Sequence, residues 1–145
     1  MIDGVCIRQA DARDRSYIIS SWLESHHDRA LGVFRRMPSQ EYFVRWRLVI
    51  AGLLDTAQCY VACPTDDPET VLAWVCVDVQ PRVARMHYAH TKLAFQRLGL
   101  MRALLTHAGV RTDEPLNFSH RTTVLDAMTM PDTWRYAPWM LVGIR

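Results

Sequence analysis

His87-Tyr88-Ala89-His90-Thr91-Lys92-Leu93-Ala94-Phe95-Gln96-Arg97-Leu98-Gly99-Leu100-Met101-Arg102-Ala103-Leu104-Leu105 is the stretch on which the reading of this chain turns. Residues 83–91 form an apolar and aromatic run of strand length. From Gln96 onward Leu98, Met101, Leu104 and Leu105 recur at helical spacing, with Gly109 placed as a C-cap, so a helix is expected over 96–107. A strand therefore runs into a loop, and the loop opens a helix. The start of such a helix has unpaired N–H groups and a partial positive charge, which can hold a phosphate or pyrophosphate without any Lys. Gly99 would let the backbone approach that anion closely.

Working outward, residues 58–63 and 71–79 are two further apolar runs, separated by the turn chemistry of Pro64-Thr65-Asp66-Asp67-Pro68, and with 83–91 they make an antiparallel meander. Before it, Val5 to Gln9 reads as a strand, and Asp11 as the N-cap of a helix with Asp14 in its first turn. Ile18, Ile19, Trp22 and Leu23 form that helix's apolar stripe to about residue 25, and 25–37 reads as a loop. Pro38-Ser39 opens a longer helix with Phe43, Trp46, Ile50 and Leu53 on one face, ending near Asp55. After the meander come a strand over 116–121, an irregular segment over 124–134, and a last strand over 135–144 interrupted at Pro138. The order β-α-α-β-β-β-α-β-(α)-β predicts an α+β fold with a single mixed, mostly antiparallel sheet flanked by helices.

Both the element order and the Gln96-Arg97-Leu98-Gly99-Leu100-Met101 turn resemble the GNAT superfamily of acyl-CoA-dependent N-acyltransferases. That family's pyrophosphate loop reads Gln or Arg, two residues, Gly, one residue, then Gly or Ala. Here Gln96 and Gly99 match, and Met101 stands where the family has a small residue. Leu104-Leu105 matches the usual apolar pair on the helix. The chain also resembles the compact GNAT-like proteins of phages and prophages, with Tyr136-Ala137-Pro138-Trp139 in its last strand. The resemblance covers nearly the whole chain in topology and about one motif in residues, and it implies one GNAT-like domain over 1–145.

It further implies acetyl-CoA or a related acyl-CoA as donor, with the pyrophosphate on the backbone of Gln96, Arg97, Leu98, Gly99, Leu100, Met101 and Arg102. The pantetheine arm would lie along the strand ending at Thr91, and N–H groups near Thr91 and Leu93 would polarise the thioester carbonyl. Transfer to a primary amine needs a base, a carbonyl-polarising donor and an acid. Asp78 is a base candidate, or else a surface carboxylate beside Gln80-Pro81. His87 and His90 are three apart on a strand and so are expected on opposite faces, with one of them able to line a cleft. His90 is the one carried forward as a base candidate, and a half-buried structural histidine is the alternative for either. Tyr136 is the acid candidate, with core packing as its alternative, and Ser119 and His120 are further acid candidates. Trp22, Trp46 and Trp74 read as core. The polar 25–37 loop, with His26, His27, Arg29, Arg35 and Arg36, suits an acidic or phosphate-bearing acceptor or is simply solvated.

Composition bounds these readings. The 145 residues suit one domain, 50% are hydrophobic and 22% charged, and the net charge is +2, which is a folded chain. All but one of the 17 Lys and Arg residues are Arg, yet they are dispersed, so nucleic acid is a weak third alternative resting on Arg content. No run of about 18 apolar residues or signal-type N-terminus is present, so a cytoplasmic protein with no membrane partner, as monomer or homodimer, is expected. Cys6, Cys59, Cys63 and Cys76 read as buried thiols. A zinc site from Cys59, Cys63, His87 and His90 fails on spacing, because residues four apart on a strand lie about 13 Å apart. The functional expectation is an N-acyltransferase; the alternative is a non-catalytic GNAT-like binding or regulatory protein, favoured by Met101, the missing consensus acid and the scarcity of Lys.

Overall fold

Two apolar runs write the centre of the sheet. Gln58–Pro64 (β2) and Ala73–Asp78 (β3) pair antiparallel, with Val61 opposite Trp74, and every residue from Ala73 to Val77 is fully buried. A strand buried on both faces requires a layer on each side. Val5–Gln9 (β1) adds antiparallel to the outer edge of β2, and Ala84–Thr91 (β4) antiparallel to β3. Leu116–Phe118 (β5) and Trp134–Tyr136 (β6) then add parallel, giving the order β1-β2-β3-β4-β5-β6. The structure is a computed structural model that describes residues 2–29, 36, 38–79, 83–111, 113–118 and 132–137. The mixed, mostly antiparallel sheet and its central meander are as expected; the parts of the expected late strands at 119–121 and 138–144 lie outside the described residues.

Arg15–Arg29 (α1) and Ser39–Thr56 (α2) cover one face of the sheet, and Leu100–His107 (α3) covers the other. Under α1 and α2 lie Ile18, Trp22, Leu23, Tyr42, Ile50 and Leu53 against Val61, Trp74 and Tyr88. Under α3, Leu100, Leu104 and Leu105 meet Ala62, Val75, Val77, Met86, Leu116 and Phe118. Full burial of each such side chain contributes about 1.5–3 kcal/mol. The tryptophan expectation holds, since Trp22 and Trp74 are fully buried and Trp46 packs against the first cluster.

The far end of α1 differs from the sequence expectation. At its start the expected cap is present, with the Arg13 N–H donating to Asp11 Oδ1 and the Asp11 N–H to Asp14 Oδ2, both at 2.9 Å, and a turn closed by the Asp14 N–H on the Asp11 carbonyl (3.0 Å) leads into the helix at Arg15. Asp14, 3% exposed, accepts two bonds from the Arg8 guanidinium of β1, at 2.6 and 2.8 Å, which fixes where the helix can start. The helix runs on to Arg29 instead of ending near residue 25. Ser25 and His26, polar residues that suggested a loop, face inward. Ser25 Oγ and Tyr88 Oη lie 2.8 Å apart, and the buried His26 bonds through Nδ1 to the Tyr42 hydroxyl while stacking beside Trp46. Part of the expected acceptor loop is therefore helix, and of the rest Arg35 lies outside the described residues. No helix among the described residues is long and apolar enough to cross a membrane.

Candidate active site

β3 alternates Trp74, Cys76 and Asp78 toward α1 and α2, and Ala73, Val75 and Val77 toward α3. β4 follows the same alternation until its register shifts. Val77 is opposite Met86 and Cys76 is opposite Tyr88, so His87 is an extra residue, a β-bulge. The bulge turns His87 toward the Asp78 face, where its Nε2–H donates to Asp78 Oδ2 at 2.8 Å. His87 is 2% exposed and the Asp78 side chain 18%. His90, whose ring centroid lies 6.2 Å from that of Trp74, is on this face too. The expectation that His87 and His90 point to opposite faces is thus corrected, because one inserted residue cancels the odd spacing. Asp78 is a half-buried partner of a buried imidazole, not a solvated turn carboxylate.

The described ladder between β4 and β5 covers Ala84 to Met86, and Met86 is opposite Phe118. His87 is the next residue, so the bulge sits where the described β4–β5 pairing ends. Phe118 is in turn opposite Tyr136, whose ring lies 5.6 Å from it. Tyr136 shares a register row with Met86, is 39% exposed, and stands two strands from β4. Ser119 and His120 lie outside the described residues.

Past Thr91 the chain makes a 3-10 turn at Leu93–Phe95 and enters α3 at Leu100, four residues later than expected. The delay has a backbone cause. Arg97 has φ +65° and Gly99 φ +85°, both left-handed, and such residues break a helix. The turn is held by Gln96 Nε2, which donates to the Thr91 carbonyl at 3.2 Å, and by the Lys92 N–H, which donates to the Leu72 carbonyl at 3.0 Å. Gln96 therefore works through its amide side chain to close the loop. The first bond inside α3 runs from the Ala103 N–H to the Gly99 carbonyl, which leaves the N–H groups of Leu100, Met101 and Arg102 without an intrahelical acceptor. A Cβ added at Gly99 would meet Ile2 Cδ1 at 4.0 Å, an ordinary contact, so nothing clashes with the glycine's position. Two left-handed residues followed by helix amides with no intrahelical acceptor are a backbone form able to cradle an anion.

The side chains around the cradle sort cleanly. Leu100 is buried, and Met101 is partly buried with its side chain packed against the α3 core. Arg97, Leu98 and Arg102 are exposed, as is Leu93 at the turn's start. The structure thus brings Thr91, Gln96, Arg97, Gly99, Leu100, Met101 and Arg102 to one turn. It groups Asp78 and His90 on one face with His87, and keeps Tyr136 apart on β6. Among the described residues no group of His, Cys, Asp and Glu could hold a metal ion.

No protein-family model matches the chain, and no curated protein matches it. Solved structures do. A Pyrococcus furiosus protein proposed to be an acetyl transferase is 18% identical, with a TM-score of 0.56 over 72% of this chain and 72% of that one. A Clostridium difficile 630 protein proposed as an acetyltransferase is 12% identical, with a TM-score of 0.53 over 93% of this chain and 80% of that one. At such identities the likeness speaks for architecture, and the architecture is that of the mixed sheet and flanking helices described above: the chain has the α+β GNAT fold.

Proposed function

We propose that this protein is an acyl-CoA-dependent N-acyltransferase that moves an acetyl or similarly short acyl group to a primary amine. The observation that carries the reading is the pairing, on one strand and the turn after it, of an anion cradle at 97–102 with the bulged His87–Asp78 pair. Four residue steps of strand lead from His87 to Thr91, about 13 Å of rise. An extended pantetheine arm spans that length, with its pyrophosphate on the amides of the cradle. The residues fit such a donor: Gly99 puts no side chain over the amides, and Met101 packs against the α3 core.

When bound, the donor would supply an activated thioester carbonyl. The chain's own residues would do the rest. An amine is a nucleophile only when neutral, so a base must hold its proton as the N–C bond forms and the C–S bond breaks. Asp78, held by the His87 ring, accepts that proton directly or through a water, with His90 on the same face as the second candidate. Backbone N–H groups of the bulge are the donors for charge that develops on the carbonyl oxygen, while Thr91 and Leu93, about 13 Å back along the strand, would meet the pantetheine arm. Tyr136 is the candidate to return a proton to the leaving thiolate.

The test is calorimetry with acetyl-CoA followed by a thiol-release assay over a panel of primary amines. Binding in the micromolar range with release above hydrolysis is expected. Binding without release for any amine would favour a non-catalytic GNAT-like module, and no binding at millimolar ligand would sink the proposal.

A further inference from the structure

The four cysteines are arranged as two facing pairs, Cys6 of β1 opposite Cys63 of β2, and Cys59 of β2 opposite Cys76 of β3. Their surroundings differ. Cys59, Cys63 and Cys76 are buried, whereas Cys6 lies on the sheet's edge strand and is part exposed. The Cys6 and Cys63 sulfurs are 3.4 Å apart. Ladder bonds from the Thr65 N–H to the Gly4 carbonyl and from the Ala10 N–H to the Cys59 carbonyl flank the pair in even steps. That spacing makes Cys6 and Cys63 a hydrogen-bonded pair, with Cα atoms about 5.5 Å apart, inside the 4.4–6.8 Å range of disulfides. Rotation about two side chains closes the remaining gap of about 1.4 Å to a bonded S–S distance.

We propose that Cys6 and Cys63 form a reversible disulfide when the protein meets a disulfide oxidant of the glutathione class, stapling the edge strand β1 to β2. In the first step the Cys6 thiolate attacks one sulfur of oxidised glutathione, giving a mixed disulfide and releasing one glutathione thiolate, which takes up the proton Cys6 lost. In the second, Cys63 gives its proton to solvent and attacks Cys6 Sγ, releasing the second glutathione. Two electrons pass from the protein dithiol to one glutathione disulfide, which leaves as two thiols. The order follows from access. Burial pushes the Cys63 thiol up, so it remains protonated until the half-exposed Cys6 has reacted, while the nearby Arg8 guanidinium favours the thiolate that must follow. The staple also matters beyond β1: the chain just before it places Ile2 over Gly99. The inference stands on strand geometry and does not depend on acyl transfer.

The experiment incubates the full chain with oxidised or with reduced glutathione, blocks remaining thiols with an alkylating agent in denaturant, and measures intact mass and linked peptides. Oxidation is expected to leave two of the four cysteines alkylatable, to link the Cys6 and Cys63 peptides with loss of about 2 Da before alkylation, and to be undone by dithiothreitol. Closing a loop of this length should raise the melting temperature on the order of 5–10 °C. Cys6→Ser should abolish the link, and Cys63→Ala should accumulate a glutathione adduct on Cys6. Four alkylatable cysteines after oxidation, a Cys59–Cys76 link in place of Cys6–Cys63, or a lasting glutathione adduct in the unaltered protein would each overturn the proposal.

Discussion

Replacing Gly99 by Asp tests the anion cradle with a magnitude that can be worked out beforehand. Gly99 sits at φ +85°, so any side chain there costs roughly 1–2 kcal/mol of folding stability. Packing adds little, since the nearest atom to the new Cβ would be Ile2 Cδ1 at 4.0 Å. The effect on binding is electrostatic. A carboxylate about 5 Å from a bound phosphate charge, at an effective dielectric near 20, raises the energy by about 3 kcal/mol, which is a factor of about 150 in affinity. Gly99→Asn is the matched control, because Asn tolerates left-handed backbone better than most residues and carries no charge. Calorimetry with CoA should show a large loss for Asp and a much smaller one for Asn, with the gap shrinking as salt is added. Equal, near-native affinities in both variants, with folding confirmed by circular dichroism, would refute the placement of the pyrophosphate on this turn.

Three other outcomes follow from the same structure. Asp78→Asn should lower kcat/KM for the best amine of the panel by roughly 100-fold or more while the CoA dissociation constant stays put; a fall in CoA affinity of the same size would mean a structural role instead. Asp14→Ala should cost about 2 kcal/mol in urea unfolding, since it breaks a two-bond contact with the partly exposed Arg8. The Arg8 hydrogen bond holds the Asp14 carboxyl below its ordinary range, so the unfolded chain takes up the proton first. That contribution is complete above about pH 5 and is lost as pH falls through the carboxylate range, and Asp14→Ala should flatten this limb of the stability curve. Tyr42→Phe should cost about 1–2 kcal/mol through the lost His26 bond. Burial pushes the Tyr42 hydroxyl above its usual range, so above about pH 10 the unfolded state ionises first and stability falls; the Phe variant should fall less steeply.

Much of this molecule is legible in its sequence, and the parts that are not have identifiable causes. Local periodicity carries the meander and the three helices, because residues such as Val75, Trp74 and Leu104 are apolar wherever the layers demand it. The start of α3 is displaced by four residues because periodicity is blind to φ, and nothing in the composition of 96–99 says that Arg97 turns left-handed. The full length of α1 is missed for a related reason: Ser25 and His26 are polar by type but their partners, Tyr88 and Tyr42, are distant in sequence.

The candidate site shows the same division. The cradle is visible as Gln96 and Gly99 before a helix, and the structure refines it by giving the Gln96 side chain to the Thr91 carbonyl and packing Met101 against the α3 core. The His87–Asp78 contact is harder to see, because one inserted residue flips a face without changing any pattern of residue types. A histidine at odd spacing on a strand beside a turn-end aspartate is the signal that could have prompted the thought of a bulge. The Cys6–Cys63 pairing needed the register of two strands 57 residues apart in the chain.

Whether β4 and the turn after it hold an acyl-CoA is decided by a crystal structure of the chain grown with CoA. Density for the pyrophosphate is expected on the amides between Arg97 and Arg102, with the arm running along β4 toward His87 and its thiol near the bulge. CoA bound elsewhere on the molecule, with the turn at Gly99 empty, would contradict this placement.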